Sequence, residues 1–360
     1  MALDRRFGLL VVRGAAVFGV AAVVTWLALP SPIGSLAWIP SPAPALDGAY
    51  WINDILVGAE HRFPELVGAE DIAFDPEGRP HTGLADGRIV RLDNDRVVDV
   101  VNTGGRPLGL EFSPHDGLLY VCDADRGLLA VDPDKKTVVV LVDTVENAPF
   151  RYTNDLEIAH DGTVYFTDSS AVWRTGQYVE DLLDQRPTGR VLRFDPATGV
   201  TTVLARELAF ANGLALAPDE RSLIVAETGR YRLWRLWLEG EKKNLKEVVL
   251  ENLPGFPDNL SVSPRGTIWV ALASTRKRLL DLIHPYPLLK DATASLPPWL
   301  RPKPVRWGFV VEVDFDGTPL RSLQDPNGDV VSNVTSAEER ADGSLWLGNV
   351  DGRGIDVLRR

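Results

Sequence analysis

The chain has 360 residues, 45% of them hydrophobic and 24% charged, with a formal net charge of −12. That composition excludes a largely disordered chain, and an acidic balance without a Lys/Arg stripe excludes a nucleic-acid binder. A single cysteine, Cys122, excludes an intramolecular disulfide. Lying in the apolar run Leu118-Leu-Tyr-Val-Cys122, it reads as a small buried hydrophobe and not as a thiol nucleophile.

The N-terminus is a separate object. Arg5, Arg6 and Arg13 precede an uncharged run over residues 14–30. Counted from Phe7, with Arg13 snorkelling to the headgroups, the apolar stretch is long enough to span a bilayer. The expectation is a single-pass transmembrane helix within residues 1–30, its N-terminus cytoplasmic and the rest of the chain on the extracytoplasmic side. Residues 31–49, rich in Pro, Ser and Ala, read as a linker, and residues 50–360 as one domain. A cleaved signal peptide is the rival reading, with Ala43-Pro44-Ala45 as its processing site. Proline suits such a site poorly, and it lies far from the apolar run.

From residue 70 onward a unit recurs: a short apolar strand, a tight turn with Gly or Asp, a second apolar strand, and a later strand ending in Asp. Its turn positions are Gly78, Gly117, Gly162, Asp219, Gly266 and Gly343, spaced by 39, 45, 57, 47 and 77 residues. Six units at about 40–50 residues are the signature of four-stranded propeller blades. The fold expected is therefore all-β, a six-bladed β-propeller, closed by a strand around residues 63–67 that joins the last blade. The two long spacings place insertions in blades three and five. The second, residues 274–307, reads as a helix from Lys277 to Ile283, then a proline-rich apolar run with Tyr286, Trp299 and Trp307. It could be a lid, a membrane-touching patch or plain solvated surface.

In a propeller the first strand of each blade lines the central channel, so its opening residues share one axis. Those residues are Glu70, Asn154, Asn212, Asp258 and Asn259. Two carboxylates with amide oxygens form an all-oxygen donor set, suited to Ca²⁺ first and to Mg²⁺ or Mn²⁺ next. Zn²⁺ is disfavoured, because no Cys or His stands at these positions. Asn and Asp also favour strand starts as turn formers, and Asp71 and Asp155 could lie behind the donors. Of the histidines, His61 and His81 read as solvated, His115 and His160 occupy matching turns, and His284 lies in the long insertion.

The phrase Asn154-Asp-Leu-Glu-Ile-Ala-His-Asp-Gly-Thr-Val-Tyr-Phe-Thr-Asp-Ser-Ser170 resembles the signature of strictosidine synthase-like proteins. So do the stretches opening at Gly105, Ala211, Glu227 and Pro254. The wider superfamily includes gluconolactonases and paraoxonases. The resemblance implies a six-bladed fold with Ca²⁺ in its channel, held by Glu70, Asn154, Asn212 and Asp258, with Asn259 beside them. It also implies limits. The histidine dyad of paraoxonase-type lactonases has no counterpart in Arg106-Pro-Leu-Gly-Leu110. The glutamate used by strictosidine synthase falls on Glu338 or Glu339, with an apparent one-residue insertion nearby.

The leading expectation is a membrane-tethered, Ca²⁺-dependent hydrolase of lactones or aryl esters acting on a small-molecule substrate. Asp258 or Glu70 is the candidate base, and Tyr152 and Trp173 are candidate pocket walls. Two alternatives stay open. One is condensation of the strictosidine synthase type, which needs Glu338 or Glu339 at the channel. The other is a non-catalytic propeller that binds a ligand or partner.

Overall fold

A computed structural model describes residues 25–26 and 30–359. Among them are six four-stranded antiparallel sheets, arranged as blades. Blade one comprises Ile72–Phe74, Pro80–Gly83, Arg88–Asp93 and Arg96–Asn102, and each later blade repeats the plan. The innermost strands of blades two to six are Pro107–Phe112, Thr153–Ile158, Ala211–Leu216, Gly255–Val262 and Ala337–Glu339. The ring closes as expected: Glu60–Val67 is the outermost strand of blade six and pairs antiparallel with Arg353–Leu358.

The turn chemistry explains the repeat. Asp161 Oδ1 accepts the Thr163 amide at 2.8 Å and Asp342 Oδ1 that of Ser344 at 2.9 Å, so the acid closes each turn locally. The following glycines sit at positive φ, from 70° at Gly117 to 86° at Gly162. Blade four alone places a non-glycine there, Glu220 at φ 54°.

A sheet four strands wide cannot bury both faces alone. Here one apolar cluster fills each of the six blade-to-blade interfaces, for example Ile89, Leu119 and Val131 between blades one and two. The next interface takes Cys122, Phe150 and Phe166. Cys122 is fully buried, and burial pushes its thiol well up, as a structural cysteine requires. His81 corrects the sequence reading: it is buried, stacked edge-on to Phe112, with Nδ1 3.1 Å from the Arg79 carbonyl.

Close backbone approach draws the inner strands to the axis. A Cβ on Gly213 would lie 2.4 Å from the Asn259 Cα, and one on Gly348 would lie 2.2 Å from the Glu70 carbonyl oxygen. Carboxylates then staple neighbouring blades: Asp71 accepts the Leu110 amide and Asp155 that of Leu214, both at 3.0 Å. Gly213→Ala should therefore cost about 2–3 kcal/mol, whereas Gly266→Ala, whose Cβ meets nothing within 4 Å, should cost only about 1 kcal/mol for its positive φ. Urea unfolding of the two variants checks this; equal losses would refute the close-approach account.

The two insertions occupy residues 169–188 and 276–307, each joining the second strand of its blade to the third. Strand Ile268–Thr275 runs slightly further than the sequence suggested, and the expected helix forms as α2, Arg278–Ile283. The blade-three insertion carries α1, Tyr178–Asp184, and α3 is Pro287–Ala294. Residues 31–46 run along these helices: the Leu36 amide donates to Asp184 O at 2.8 Å and the Trp38 amide to His284 O at 3.1 Å.

The expected transmembrane helix falls almost wholly outside the described residues. Among those described, no helix is long and apolar enough to cross a membrane.

Candidate metal centre and cavity

Each inner strand starts at the end of the ring from which both insertions rise. Its first residues therefore face a common mouth, roofed by α1 and the blade-five insertion. Arg301 ties the roof together, donating to Glu180 Oε1 at 2.5 Å and to Ala294 O at 2.8 Å. Beneath it lies a cavity of about 290 Å³.

Glu70, Asn154, Asn212 and Asp258 line that cavity together, and all are buried. Asn259 is also buried but stands behind them, its Nδ2 donating to Glu70 Oε1 at 3.0 Å. The other amide groups are tied back in the same way. Asn154 Nδ2 donates to Ser169 Oγ at 2.9 Å, and Asn212 Nδ2 to Asp258 Oδ1 at 2.6 Å and to Thr228 Oγ1 at 3.1 Å. With their N–H groups engaged, the amides leave Oδ1 of Asn154, Asn212 and Asn259 buried without a hydrogen-bond donor, as is Oε2 of Glu70. Four such oxygens in one place are costly unless something positive meets them.

The donor chemistry fits a hard divalent cation: two carboxylates and neutral amide oxygens, no sulfur and no imidazole. Among the described residues no three His, Cys, Asp or Glu side chains form a metal-binding group, so the fit rests on the amides.

The electrostatics follow from burial. Desolvation raises the Glu70 carboxyl well above its usual range, and repulsion from Asp258 and Asp71 adds to this. Arg106, whose Nη2 donates to Gly68 O at 2.9 Å, pulls it partly back. Burial lifts Asp258 to about 7, against the Asn212 hydrogen bond that lowers it.

The catalytic glutamates named from sequence lie elsewhere. Glu339 is turned between blades five and six. Arg265 donates to its two oxygens at 2.5 and 2.8 Å, and Trp269 Nε1 donates at 2.7 Å. Fully paired there, it is no base for the cavity. Glu338 faces the far half of the channel, hydrogen-bonded to Ser261 and repelled by Asp71 and Glu157. It does not border the cavity. Tyr152 does border it, but Trp173 does not: its Nε1 donates to Asp184 Oδ2 at 2.9 Å inside the apolar core.

Sequence reasoning missed Ser169 and Thr228, which orient the amides. Both directly follow a second strand, so the same repeat logic could have found them. It also missed the cavity walls. Leu108, Phe210 and Phe256 come from the blades, and Leu182 and Leu280 from the roof. These share no spacing, so no pattern announces them.

Comparison with known proteins agrees with this architecture. Residues 154–241 match the family model described as strictosidine synthase, and residues 48–92 match one described as strictosidine synthase-like, N-terminal. Strictosidine synthase-like 3 of Arabidopsis thaliana is 36% identical over 329 residues, covering 83% of this chain and 84% of that protein. The adipocyte plasma membrane-associated protein of Salmo salar is 36% identical over 352 residues, 91% and 84% of the two chains. Among solved structures, a gluconolactonase from Xanthomonas campestris superposes with a TM-score of 0.62 at 17% identity, covering 92% of this chain and 98% of that one. A calcium-binding protein from Agrobacterium tumefaciens, regucalcin, gives 0.58 at 16%, covering 84% and 96%. At such identities the two solved structures share the fold.

Proposed function

We propose that this chain, which belongs to the strictosidine synthase-like family, is a Ca²⁺-dependent hydrolase of apolar lactones or aryl esters. The observation that carries the reading is the donor-less oxygens of Glu70, Asn154 and Asn212, which line an apolar cavity, with that of Asn259 behind them. Structural neighbours described as a gluconolactonase and as a calcium-binding protein support it. Glu70, Asn154, Asn212 and Asp258 would hold the ion, with Asn259 orienting Glu70. When bound, Ca²⁺ supplies Lewis acidity toward a carbonyl oxygen and its developing negative charge.

The chain's own groups do the rest. Asp258 engages Asn212 through Oδ1, which leaves Oδ2 for a water. That free carboxylate oxygen is the proton acceptor the cavity offers to a water. Water adds through its oxygen to the carbonyl carbon while Asp258 takes its proton. The carbonyl–oxygen single bond of the lactone or ester then breaks, and the proton passes to the departing oxygen. Leu108, Phe210 and Phe256 hold the apolar part of the substrate and keep bulk water out. A strictosidine-type condensation would lack its glutamate at this cavity, since Glu338 and Glu339 both lie outside it. We also propose that residues 1–30 tether the propeller to the extracytoplasmic side of a membrane, on the evidence of the arginines before an uncharged run.

The test uses the full-length protein with a panel of lactones of increasing chain length and aryl esters, each assayed in Ca²⁺ and in excess chelator. Activity should vanish with chelator and return on adding back Ca²⁺. Asp258→Asn should lower kcat about 10²–10³-fold. A panel with no turnover in Ca²⁺ refutes the hydrolase and leaves a ligand-binding propeller as the reading.

A further inference from the structure

The blade-five insertion has a second face. Its cavity side contributes Lys277, Leu280 and residues 302–304 to the roof. Its other side exposes large apolar groups on three successive elements: Leu279 (67%) and Leu282 on α2, Leu288 (58%) on α3, and Trp299 (72%) on the 3₁₀ turn Pro298–Leu300. Such groups are normally scattered singly over a surface. Here they are concentrated within about two dozen residues.

Charge distinguishes this face again. Residues 276–307 contain seven Lys or Arg and two Asp, a net +5 within a chain of −12. Both aspartates are spent internally. Asp281 accepts from Arg276 at 2.9 Å and from the Tyr231 hydroxyl at 3.2 Å, and Asp291 accepts from the Ser35 hydroxyl at 2.7 Å. The charges left exposed are Arg278, Lys303 and Arg306, all basic. Two described residues of the uncharged run, Trp26 and Pro30, also meet the domain at this element. Trp26 Nε1 donates to Ala292 O at 2.9 Å, and the Ser295 hydroxyl donates to Pro30 O at 3.3 Å.

We propose that the outer face of residues 276–307 is an interfacial platform that docks on an anionic lipid bilayer and seats the cavity mouth at the membrane surface. Exposed aromatic and leucine side chains enter the headgroup–acyl boundary, and Arg278 and Arg306, with Lys303 at the rim of the mouth, meet lipid phosphates. A protein partner would not account for the apolar N-terminal run arriving at the same element. The platform stands whether or not the cavity is catalytic. If the proposed hydrolase reading also holds, its substrates are apolar esters or lactones partitioned into the membrane, reached through residues that are roof on one side and platform on the other.

The experiment exploits the burial of Cys122, which spares it from thiol labelling. Leu282→Cys and Trp299→Cys are labelled with an environment-sensitive fluorophore in the full chain. Val139→Cys, on the exposed outer strand of blade two, is the control. Each is reconstituted into vesicles of phosphatidylcholine with phosphatidylglycerol, and into phosphatidylcholine alone. The expected result at 282 and 299 is a blue shift and roughly twofold stronger quenching by spin-labelled lipid than at 139, greater with phosphatidylglycerol. Arg278→Glu with Arg306→Glu should remove the dependence on anionic lipid. Probes at 282 and 299 that behave like the one at 139 overturn the proposal, as does shielding at 299 that appears only when another protein is added. No readout involves catalysis, so a failed platform and a failed hydrolase are distinguishable.

Discussion

In saturating Ca²⁺ the protein should melt about 10 °C above its melting temperature in chelator. The size follows from linkage: an ion present at a thousand times its dissociation constant adds about 4 kcal/mol, worth roughly 2–4 °C each in a domain of this class. The sign follows from the site. Glu70 and Asp258 are buried at one cavity, where burial and then Asp258 raise the Glu70 carboxyl, and Glu70 Oε2 and the Oδ1 atoms of three asparagines have no donor. Without a cation that arrangement opposes folding.

Asp258→Asn then separates this account from simple damage. The variant should lose the Ca²⁺ response, yet in chelator it should melt above the wild type, because one of two repelling charges has gone. A residue that merely packs would lower the melting temperature in both conditions. Identical melting of the wild type with and without Ca²⁺ would sink the metal itself.

At constant Ca²⁺, stability should also fall as pH rises from about 5 to 8, and Glu157→Gln should remove much of that fall. Glu157 points into the far half of the channel, with Glu111 and Glu338 nearby and Asp155 and Asp71 above. Burial lifts it from the usual 4.5 to about 8, although the Leu216 amide donates to it, and burial raises Glu111 and Glu338 as well. A raised acid binds its proton more tightly in the folded chain than in the unfolded one. Its contribution is therefore complete below about pH 4.5 and lost as pH climbs through 8. At about 1.4 kcal/mol per pH unit across that window, the loss is roughly 4 kcal/mol.

Buried His284 acts in the opposite sense. Desolvation depresses it to about 3, so it favours folding as pH rises toward 6.5. The difference between Glu157→Gln and the wild type cancels that background. Glutamine keeps the shape without the charge, so the variant should match the wild type at pH 5 and exceed it at pH 8. Parallel pH profiles in urea unfolding would refute the role given to this carboxyl.

How much of this the sequence carried depends on locality. The blades were legible because most of the tight turns carry an Asp and a Gly, so the ring announces itself every few dozen residues. The inward positions of Glu70, Asn154, Asn212 and Asp258 were legible because a ring converts equivalent strand starts into neighbours. Glu111 and Glu157 were not. In Leu110-Glu-Phe and Leu156-Glu-Ile, an acid between apolar residues reads as the solvent face of a strand, and only on the innermost strand is that face a channel. The choice between Glu338 and Glu339 failed for a related reason. Adjacent strand residues point to opposite faces, so a register uncertain by one residue cannot be resolved without the pairing partner. The roof residues Leu182 and Leu280 line one cavity from nearly a hundred positions apart in the chain, beyond the reach of any local pattern.

The closing strand Glu60–Val67 has a temporal meaning as well as a spatial one. It is among the first parts of the domain to leave the ribosome, yet its partner Arg353–Leu358 is among the last. Glu70, three residues beyond it, thus waits for the last strand of blade six. The proposed cation site therefore needs the closing strand pair. A chain without Arg353–Leu358 keeps Glu70, Asn154, Asn212 and Asp258 and loses the strand that brings the first of them home.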